Sequence, residues 1–163
     1  MSLPISGGGP PRTPTHQAIP MPTLLGIAGE LDEALDLIGA EELSPAVVEE
    51  LAEDLGKSVI EVYAAAALFS QIPFASEHDT QFEVCLGECQ KWGAAELVSQ
   101  LHSYCMNESR DDGPSFSLVL RRCMDNCFEA PMVKVHTPDG VAAFAKASTD
   151  DIANTIEHLS TEE

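Results

Sequence analysis

Apolar residues recur every three or four positions through residues 23–69, and acidic residues fill many of the positions between them. This spacing is typical of helices that bury one face and expose the other. Gly39 and Gly56 interrupt the pattern, so it predicts three short helices rather than one long helix. The apolar positions are Leu24, Ile27, Leu31, Leu35 and Ile38 in the first helix, Val47, Val48, Leu51 and Leu55 in the second, and Val62, Tyr63, Ala66 and Ala67 in the third.

Two of these helices begin with residues that commonly cap helices. Ser44 precedes Pro45, and a serine N-cap followed by proline at the first helical position is a frequent helix start. Ser58 is followed three residues later by Glu61, which is the pattern of a capping box. No helix of this length can bury its apolar face alone, so we expect a small helical bundle over residues 23–75.

The hydrophobic pattern changes after the polar residues 76–80, and the second half of the chain mixes strands with helices. The turn sequence Pro138-Asp139-Gly140 separates two apolar runs, and its glycine tolerates the positive φ that hairpin turns need. Candidate strands are residues 81–86, 116–120, 132–136 and 141–144; candidate helices are residues 90–104 and a last helix capped by Ser148 or Thr149 that carries Ile152, Ile156 and Leu159.

The resulting order, β-α-β-β-α, is a minimal thioredoxin-like layout. We therefore predict an α+β fold, in which the N-terminal helical bundle precedes a thioredoxin-like domain over residues 80–163. Residues 1–22 are rich in glycine and proline and have almost nothing to bury, so we expect a flexible tail there. Residues 107–114 are polar and acidic, and we expect a turn region.

The charge of the chain narrows the classes of function. The 163 residues contain 27 Asp and Glu but 8 Lys and Arg, and the formal net charge is −19. Such a chain is unsuited to binding nucleic acid or an anionic membrane, whereas a protein partner with a basic surface remains possible. No apolar run is long enough for a membrane span, so we expect no membrane insertion and a cytoplasmic protein. In a reducing compartment, its five cysteines indicate metal ligands rather than disulfides.

Four of the cysteines follow candidate strands in pairs. Cys85 and Cys89 come after the first strand, and Cys123 and Cys127 come after the second. If these two strands are parallel neighbours, their following loops share one edge of the sheet, and the four thiols can converge on one bound centre.

Several centres fit four thiols. Thioredoxin-type redox chemistry is not indicated, because it needs two residues between its cysteines and each pair here has three. Zinc would form a closed tetrahedral thiolate site, although zinc ribbons usually have shorter loops. An iron–sulfur cluster prefers thiolates from two loops with apolar cover and close backbone approach, which we expect Leu86, Gly87, Met124 and Phe128 to provide.

Two segments resemble a known family. Residues 123–135, CMDNCFEAPMVKV, closely resemble the second cluster motif of thioredoxin-like 2Fe-2S proteins, namely the "24 kDa" type subunit of NADH dehydrogenase (respiratory complex I) and its relatives in NAD-dependent formate dehydrogenases and hydrogenases. Residues 85–97 are similar to the first motif, and residues 44–74 to the preceding bundle. The resemblance implies that Cys85, Cys89, Cys123 and Cys127 bind a 2Fe-2S cluster.

The first motif departs from the family pattern. The family usually places four residues between the first two cysteines, and this chain has three, Leu86, Gly87 and Glu88. Three outcomes follow: the loop adapts around a normal cluster, Cys105 replaces one ligand, or the cluster is labile or absent. We expect the first outcome, because Gly87 gives the loop extra backbone freedom.

The resemblance also implies a function, and the rest of the chain contains no pattern that predicts catalysis. It contains no phosphate-binding glycine loop, and none of its five histidines has a nucleophile or carboxylate at a spacing typical of a catalytic site. We expect a non-catalytic electron-transfer subunit of a larger NADH-linked oxidoreductase complex, which exchanges single electrons with a flavoprotein partner that binds FMN and NAD(H). The alternatives are a zinc-stabilised or cluster-free structural or assembly subunit, and a stand-alone ferredoxin.

Overall fold

A computed structural model of the chain describes residues 13–108, 115–124 and 127–161. Three helices come first: α1 spans Met21–Ile38, α2 spans Pro45–Leu55, and α3 spans Val59–Phe69. A four-stranded sheet and two helices follow, as the sequence predicts, and the α+β fold class with its N-terminal helices is confirmed. Among the described residues, no helix is both long enough and apolar enough to cross a bilayer.

The predicted helix ends are confirmed by their local hydrogen bonds. The Ser44 side chain accepts a hydrogen bond from the backbone N–H of Val47, and Ser58 forms a reciprocal capping box with Glu61. Gly39 and Gly56 end α1 and α2 in the left-handed conformation, with φ of 80° and 64°. The bundle is therefore specified locally, by residues that satisfy the otherwise unpaired backbone groups at helix ends.

The sheet contains β1 (Gln81–Cys85), β2 (Ser117–Arg121), β3 (Val133–Thr137) and β4 (Gly140–Phe144) in the spatial order β2-β1-β3-β4. The pair β1–β2 is parallel, whereas β1–β3 and β3–β4 are antiparallel. The expected hairpin joins β3 to β4. The parallel pair needs a crossover, which α4 (Ala94–Glu108) provides, and α5 (Thr149–Thr161) follows β4 and packs against α4.

The helix after the first cysteine pair differs from its prediction. We expected it from residue 90, but residues Glu88–Trp92 form a 3₁₀ turn, and α4 begins at Ala94 after Gly93. Gly93 lies in the left-handed region with φ of 98°, which ends the turn and redirects the chain before the helix. Part of the predicted turn region, residues 107 and 108, belongs to α4, and residues 109–114 lie outside the described residues.

The bundle and the sheet domain share one continuous apolar core. A polar chain, buried at Tyr63 and His102, also crosses between them: the hydroxyl of Tyr63 on α3 lies 2.6 Å from Nδ1 of His102 on α4, and Nε2 of His102 lies 2.7 Å from a carboxylate oxygen of the exposed Glu49 on α2. A carboxylate can only accept, so in the neutral ring Nε2–H donates to Glu49 and the Tyr63 hydroxyl donates to Nδ1. Burial, followed by the proximity of Cys105 and Glu49, raises the pKa of Tyr63 well above 10.

Part of the predicted tail contacts the folded chain. Residues 1–12 lie outside the described residues, and α1 already begins at Met21, within the range expected to be tail. Residues 13–20, which we call the N-terminal segment, contain no helix or strand but hydrogen-bond to the 3₁₀ turn that contains Cys89. The sequence predicts no packed element here, whereas backbone hydrogen bonds hold this segment against the turn without any apolar stripe. The flexibility of the tail stays a prediction.

Candidate functional site

The ends of β1 and β2 meet at one edge of the sheet. Cys85 pairs with Arg121 in the parallel register, and the backbone N–H of Leu86 donates to the carbonyl of Arg121 at 2.8 Å. The loops after the two strands therefore leave the sheet side by side, as expected for parallel neighbours. This confirms that the two cysteine-bearing loops begin at a common edge.

Gly87 allows the two loops to approach each other closely. A Cβ atom at this position would collide with the carbonyl oxygen of Arg122. Glycine is therefore required here by contact with the neighbouring loop, whereas we had expected it to supply backbone freedom. The short loop between Cys85 and Cys89 is packed directly against the start of the second loop.

The thiol of Cys85 is surrounded by hydrogen-bond donors. A hydrogen bond from the Cys89 side chain lowers its pKa most; burial opposes this, and backbone N–H groups of Gly87, Met124 and Cys89 lower it further, to about 6 from 9. When protonated, the thiol instead donates to the carbonyl of Arg122 at 3.4 Å. Met124 belongs to the second loop, so both loops contribute to stabilising one thiolate.

The other three cysteines of the predicted ligand set differ in their surroundings. Cys89 is buried, Cys123 is exposed, and the side chain of Cys127 lies outside the described residues. No disulfide joins the cysteines whose side chains are described. Within residues 13–108, 115–124 and 127–161, no group of three or more His, Cys, Asp or Glu side chains is placed to hold a metal ion. The four-cysteine ligand set thus stays a prediction.

Cys105 lies away from this edge. It is near the end of α4, and its sulfur is 4.0 Å from the carbonyl of Phe116, which precedes β2. The cysteine loops follow the opposite end of that strand, and five residues of strand span about 16 Å. The structure therefore places Cys105 too far away to replace a ligand from the short first loop.

The apolar cover of the site is only partly as predicted. Leu86 is fully buried and Met124 is half-buried, but Phe128 is 93% exposed. The prediction that Phe128 covers the site is wrong, because its 3₁₀ turn Cys127–Glu129 leaves the ring in solvent. Apolar character alone does not reveal whether a loop residue faces the protein or faces outward.

Two polar clusters near this edge were missed by the sequence analysis. Glu83 on β1 is mostly buried and lies between Arg121 on β2, at 3.5 Å, and His136 on β3, at 3.1 Å. Gln90, directly after Cys89, is buried, and both the oxygen and the nitrogen of its side-chain amide form hydrogen bonds. The signal for Gln90 would have been a long polar residue at an inward position, but it is visible only once the 3₁₀ turn is known.

A cavity of about 590 Å³ lies elsewhere, between β4 and α5. Val135, Val141, Phe144 and Leu159 are among the residues that line it. None of the residues that line this cavity belongs to the cysteine loops, and β3 separates β4 from β1.

A mixed four-stranded sheet, with thiols after two adjacent parallel strands, defines a thioredoxin-like domain that presents a cysteine-rich edge. This chain belongs to the thioredoxin-like [2Fe-2S] ferredoxin family, whose model matches residues 30–160 and so includes the sheet and the helical bundle from the middle of α1 onward. No match was found among curated proteins.

The chemistry of the described residues fits the group that this family name implies. Cluster sulfurs and their thiolate ligands carry negative charge that backbone N–H groups stabilise, and Cys85 receives such groups from both loops. The close contact at Gly87 and the burial of Leu86 limit access of water. We therefore regard the edge formed by the ends of β1 and β2 as the candidate cluster site.

Proposed function

We propose that this chain carries single electrons on a 2Fe-2S cluster bound by Cys85, Cys89, Cys123 and Cys127. The observation that carries the proposal is the environment of Cys85, where N–H groups from two separate loops point at one sulfur, in a chain that belongs to a [2Fe-2S] ferredoxin family. When bound, the cluster would supply a one-electron store. The protein residues would stabilise the thiolates, fix the two loops and keep water from the buried thiols.

We further propose that the electron partner is a flavoprotein subunit that binds FMN and NAD(H), within a larger NADH-linked oxidoreductase complex. This rests on the resemblance of both cysteine motifs to the "24 kDa" type subunit of NADH dehydrogenase and its relatives. The exposure of Phe128 and Cys123 supports docking at the same edge, because exposed aromatic rings are enriched where protein partners bind. The chain itself would perform no substrate chemistry.

Iron, sulfide and low-temperature EPR of protein purified without air test the cluster. We expect two irons and two sulfides per chain, and a rhombic spin-half signal after dithionite reduction. Zinc, or no metal under these conditions, would instead favour a structural or assembly subunit.

Serine substitutions test the ligand set. We expect Cys85→Ser to reduce the iron content or change the EPR signal, because a buried thiolate within the hydrogen-bond network is lost. Cys105→Ser is the matched control and should retain the wild-type iron content and signal, since Cys105 lies at the other end of β2. If Cys105→Ser lost iron while Cys85→Ser kept the wild-type iron content and signal, Cys85 would not be a ligand of the cluster.

The partner is tested by reduction with NADH. We expect NADH to reduce the cluster only in the complex purified with its FMN-containing subunit, and not in the isolated chain. A native complex that lacks flavin, or an isolated chain reduced by NADH alone, would contradict the proposed partner.

A further inference from the structure

The amide of Gln90 joins the first cysteine loop to the N-terminal segment. Its Nε2 group donates to the carbonyl of Leu86 at 2.6 Å, and its Oε1 atom accepts from the backbone N–H of Ile19 at 3.0 Å. The side chain is 4% exposed, so solvent contributes little to either bond. One buried side chain thus connects the loop to residues about 70 positions earlier in the sequence.

The N-terminal segment is held against the 3₁₀ turn at further points. The backbone N–H groups of Thr15 and His16 both donate to the carbonyl of Lys91, at 3.1 and 3.2 Å. The ring of His16 pairs with Glu96 at 2.9 Å and lies beside Gly93. These contacts run along the 3₁₀ turn and the residues after it, so the segment lies beside the element that carries the second thiol.

The hydrogen bond from Gln90 to the carbonyl of Leu86 determines how one peptide group of the loop is oriented. The carbonyl of Leu86 and the N–H of Gly87 belong to the same planar peptide group. Gln90 binds its carbonyl end, and its N–H end points at the sulfur of Cys85. Without the Gln90 amide, the buried carbonyl of Leu86 would lose this hydrogen bond.

We propose that Gln90 is a positioning residue for the first cysteine pair, and that the N-terminal segment holds Gln90 in place through Ile19. Gln90 acts by orienting the Leu86–Gly87 peptide toward Cys85, which a three-residue loop cannot do through its own side chains. The consequence for the bound cluster rests on the proposed function, whereas the consequence for the loop does not.

The loop is tested first, on the full-length protein with iron removed. Alkylation by iodoacetamide, measured by peptide mass spectrometry, compares Cys85 and Cys89 with the exposed Cys123 as internal reference. At a pH well above the thiol pKa, where exposure rather than ionisation limits alkylation, we expect Gln90→Leu to raise the relative reactivity of the two buried thiols about tenfold, as loss of one buried hydrogen bond implies. Ile19→Pro removes the N–H donor to Gln90, together with the half-buried Ile19 side chain, but leaves the bond from Gln90 to Leu86, and should raise the reactivity less.

Gln100→Leu is the matched control for these variants. It deletes a glutamine on α4 whose Nε2 donates to the carbonyl of Thr149 at 2.9 Å, away from the cysteine loops. We expect its alkylation ratios to equal those of the wild type. If Gln90→Leu and Ile19→Pro also give wild-type ratios, the proposal is overturned. Ile19 belongs to none of the described helices and strands, so we expect Ile19→Pro to fold. It therefore provides the test if Gln90→Leu does not fold.

The cluster-loaded protein supplies a second readout, which a purely structural role would not change. We expect Gln90→Leu to shift the EPR g-values and lower the midpoint potential, because a hydrogen bond to a ligand sulfur that favours the reduced state is misaligned. Gln100→Leu should leave both unchanged, and unchanged values for Gln90→Leu would contradict the proposal. A wild-type chain without iron would refute the proposed function, while the alkylation ratios would still decide the role of Gln90.

Discussion

At the scale of single residues, the candidate site depends on backbone atoms as much as on thiols. The N–H groups that face Cys85 come from Gly87, Met124 and Cys89, and Gly87 is also the point of closest approach to the second loop. A side chain at position 87 would therefore disturb both the loop contact and the hydrogen bonds to the sulfur.

Gly87→Ala tests this contact. We expect the free energy of unfolding to fall by about 1–3 kcal/mol, because the added methyl group meets a backbone carbonyl that cannot move away without shifting β2. The matched control is Gly26→Ala in α1, where nothing lies near the added atom. It should raise the stability by about 0.5–1 kcal/mol through helix propensity. Urea unfolding measures both changes, and equal effects of the two substitutions would contradict the predicted clash.

Tyr63 predicts a dependence of stability on pH. Its pKa is raised by burial in the folded chain, so its contribution is fully present below about pH 10 and is lost as pH rises toward the folded-state pKa. Above about pH 10, the unfolded phenol ionises while the folded one stays protonated, and this group alone lowers the free energy of unfolding by up to about 1.4 kcal/mol per pH unit.

Tyr63→Phe should remove that part of the slope. At neutral pH, we expect it to cost about 1–3 kcal/mol, because Nδ1 of His102 loses its buried partner. Urea unfolding at about pH 9 and about pH 11 compares the two proteins. Identical slopes in this range would show that the Tyr63 phenol is not shielded in the folded chain.

At the scale of elements, the sequence predicts the parts that are specified locally. The helix stripes, the caps Ser44 and Ser58, and the turn before Gly140 each depend on neighbouring residues, and all are found as expected. The 3₁₀ turn and the held N-terminal segment depend on contacts with distant residues, such as that between Gln90 and Ile19. Such pairings leave no periodic signal in the sequence. The predicted start of α4 was therefore too early, and the N-terminal segment was predicted to be part of a flexible tail.

Ser44→Ala tests the local specification of α2. We expect a loss of about 1 kcal/mol in the free energy of unfolding, because the N–H of Val47 loses its cap. The control is Ser99→Ala, an exposed position within α4, which should change the stability by less than about 0.5 kcal/mol. If both serines gave the same small effect, the cap would contribute nothing measurable to folding.

At the scale of the whole molecule, the bundle and the sheet domain are joined by packing and by a polar chain. Helix α3 contacts β2 and α4, and Glu49 on α2 reaches His102 on α4. The division into residues 23–75 and 80–163 remains a prediction about sequence organisation. The contacts themselves indicate that the two parts stabilise each other.

We therefore expect cooperative unfolding of the whole chain. The single tryptophan, Trp92, lies in the 3₁₀ turn beside the candidate site, whereas far-ultraviolet circular dichroism is dominated by the helices. In urea, the two signals of the metal-free protein should change with coincident midpoints. Helical signal that persists after the Trp92 fluorescence has changed would show that the bundle is stable alone.

The parallel pairing of β1 and β2 also limits when the proposed site can be completed. Cys85 and Arg122 lie 37 positions apart in the chain and become neighbours only once both strands and the crossover helix have formed. A chain still emerging from the ribosome with β1 alone offers two thiols and no second loop. If the proposed cluster is bound, iron and sulfide would have to be delivered after both strands have formed, and an assembly factor would have to recognise the folded edge rather than the nascent cysteine motif.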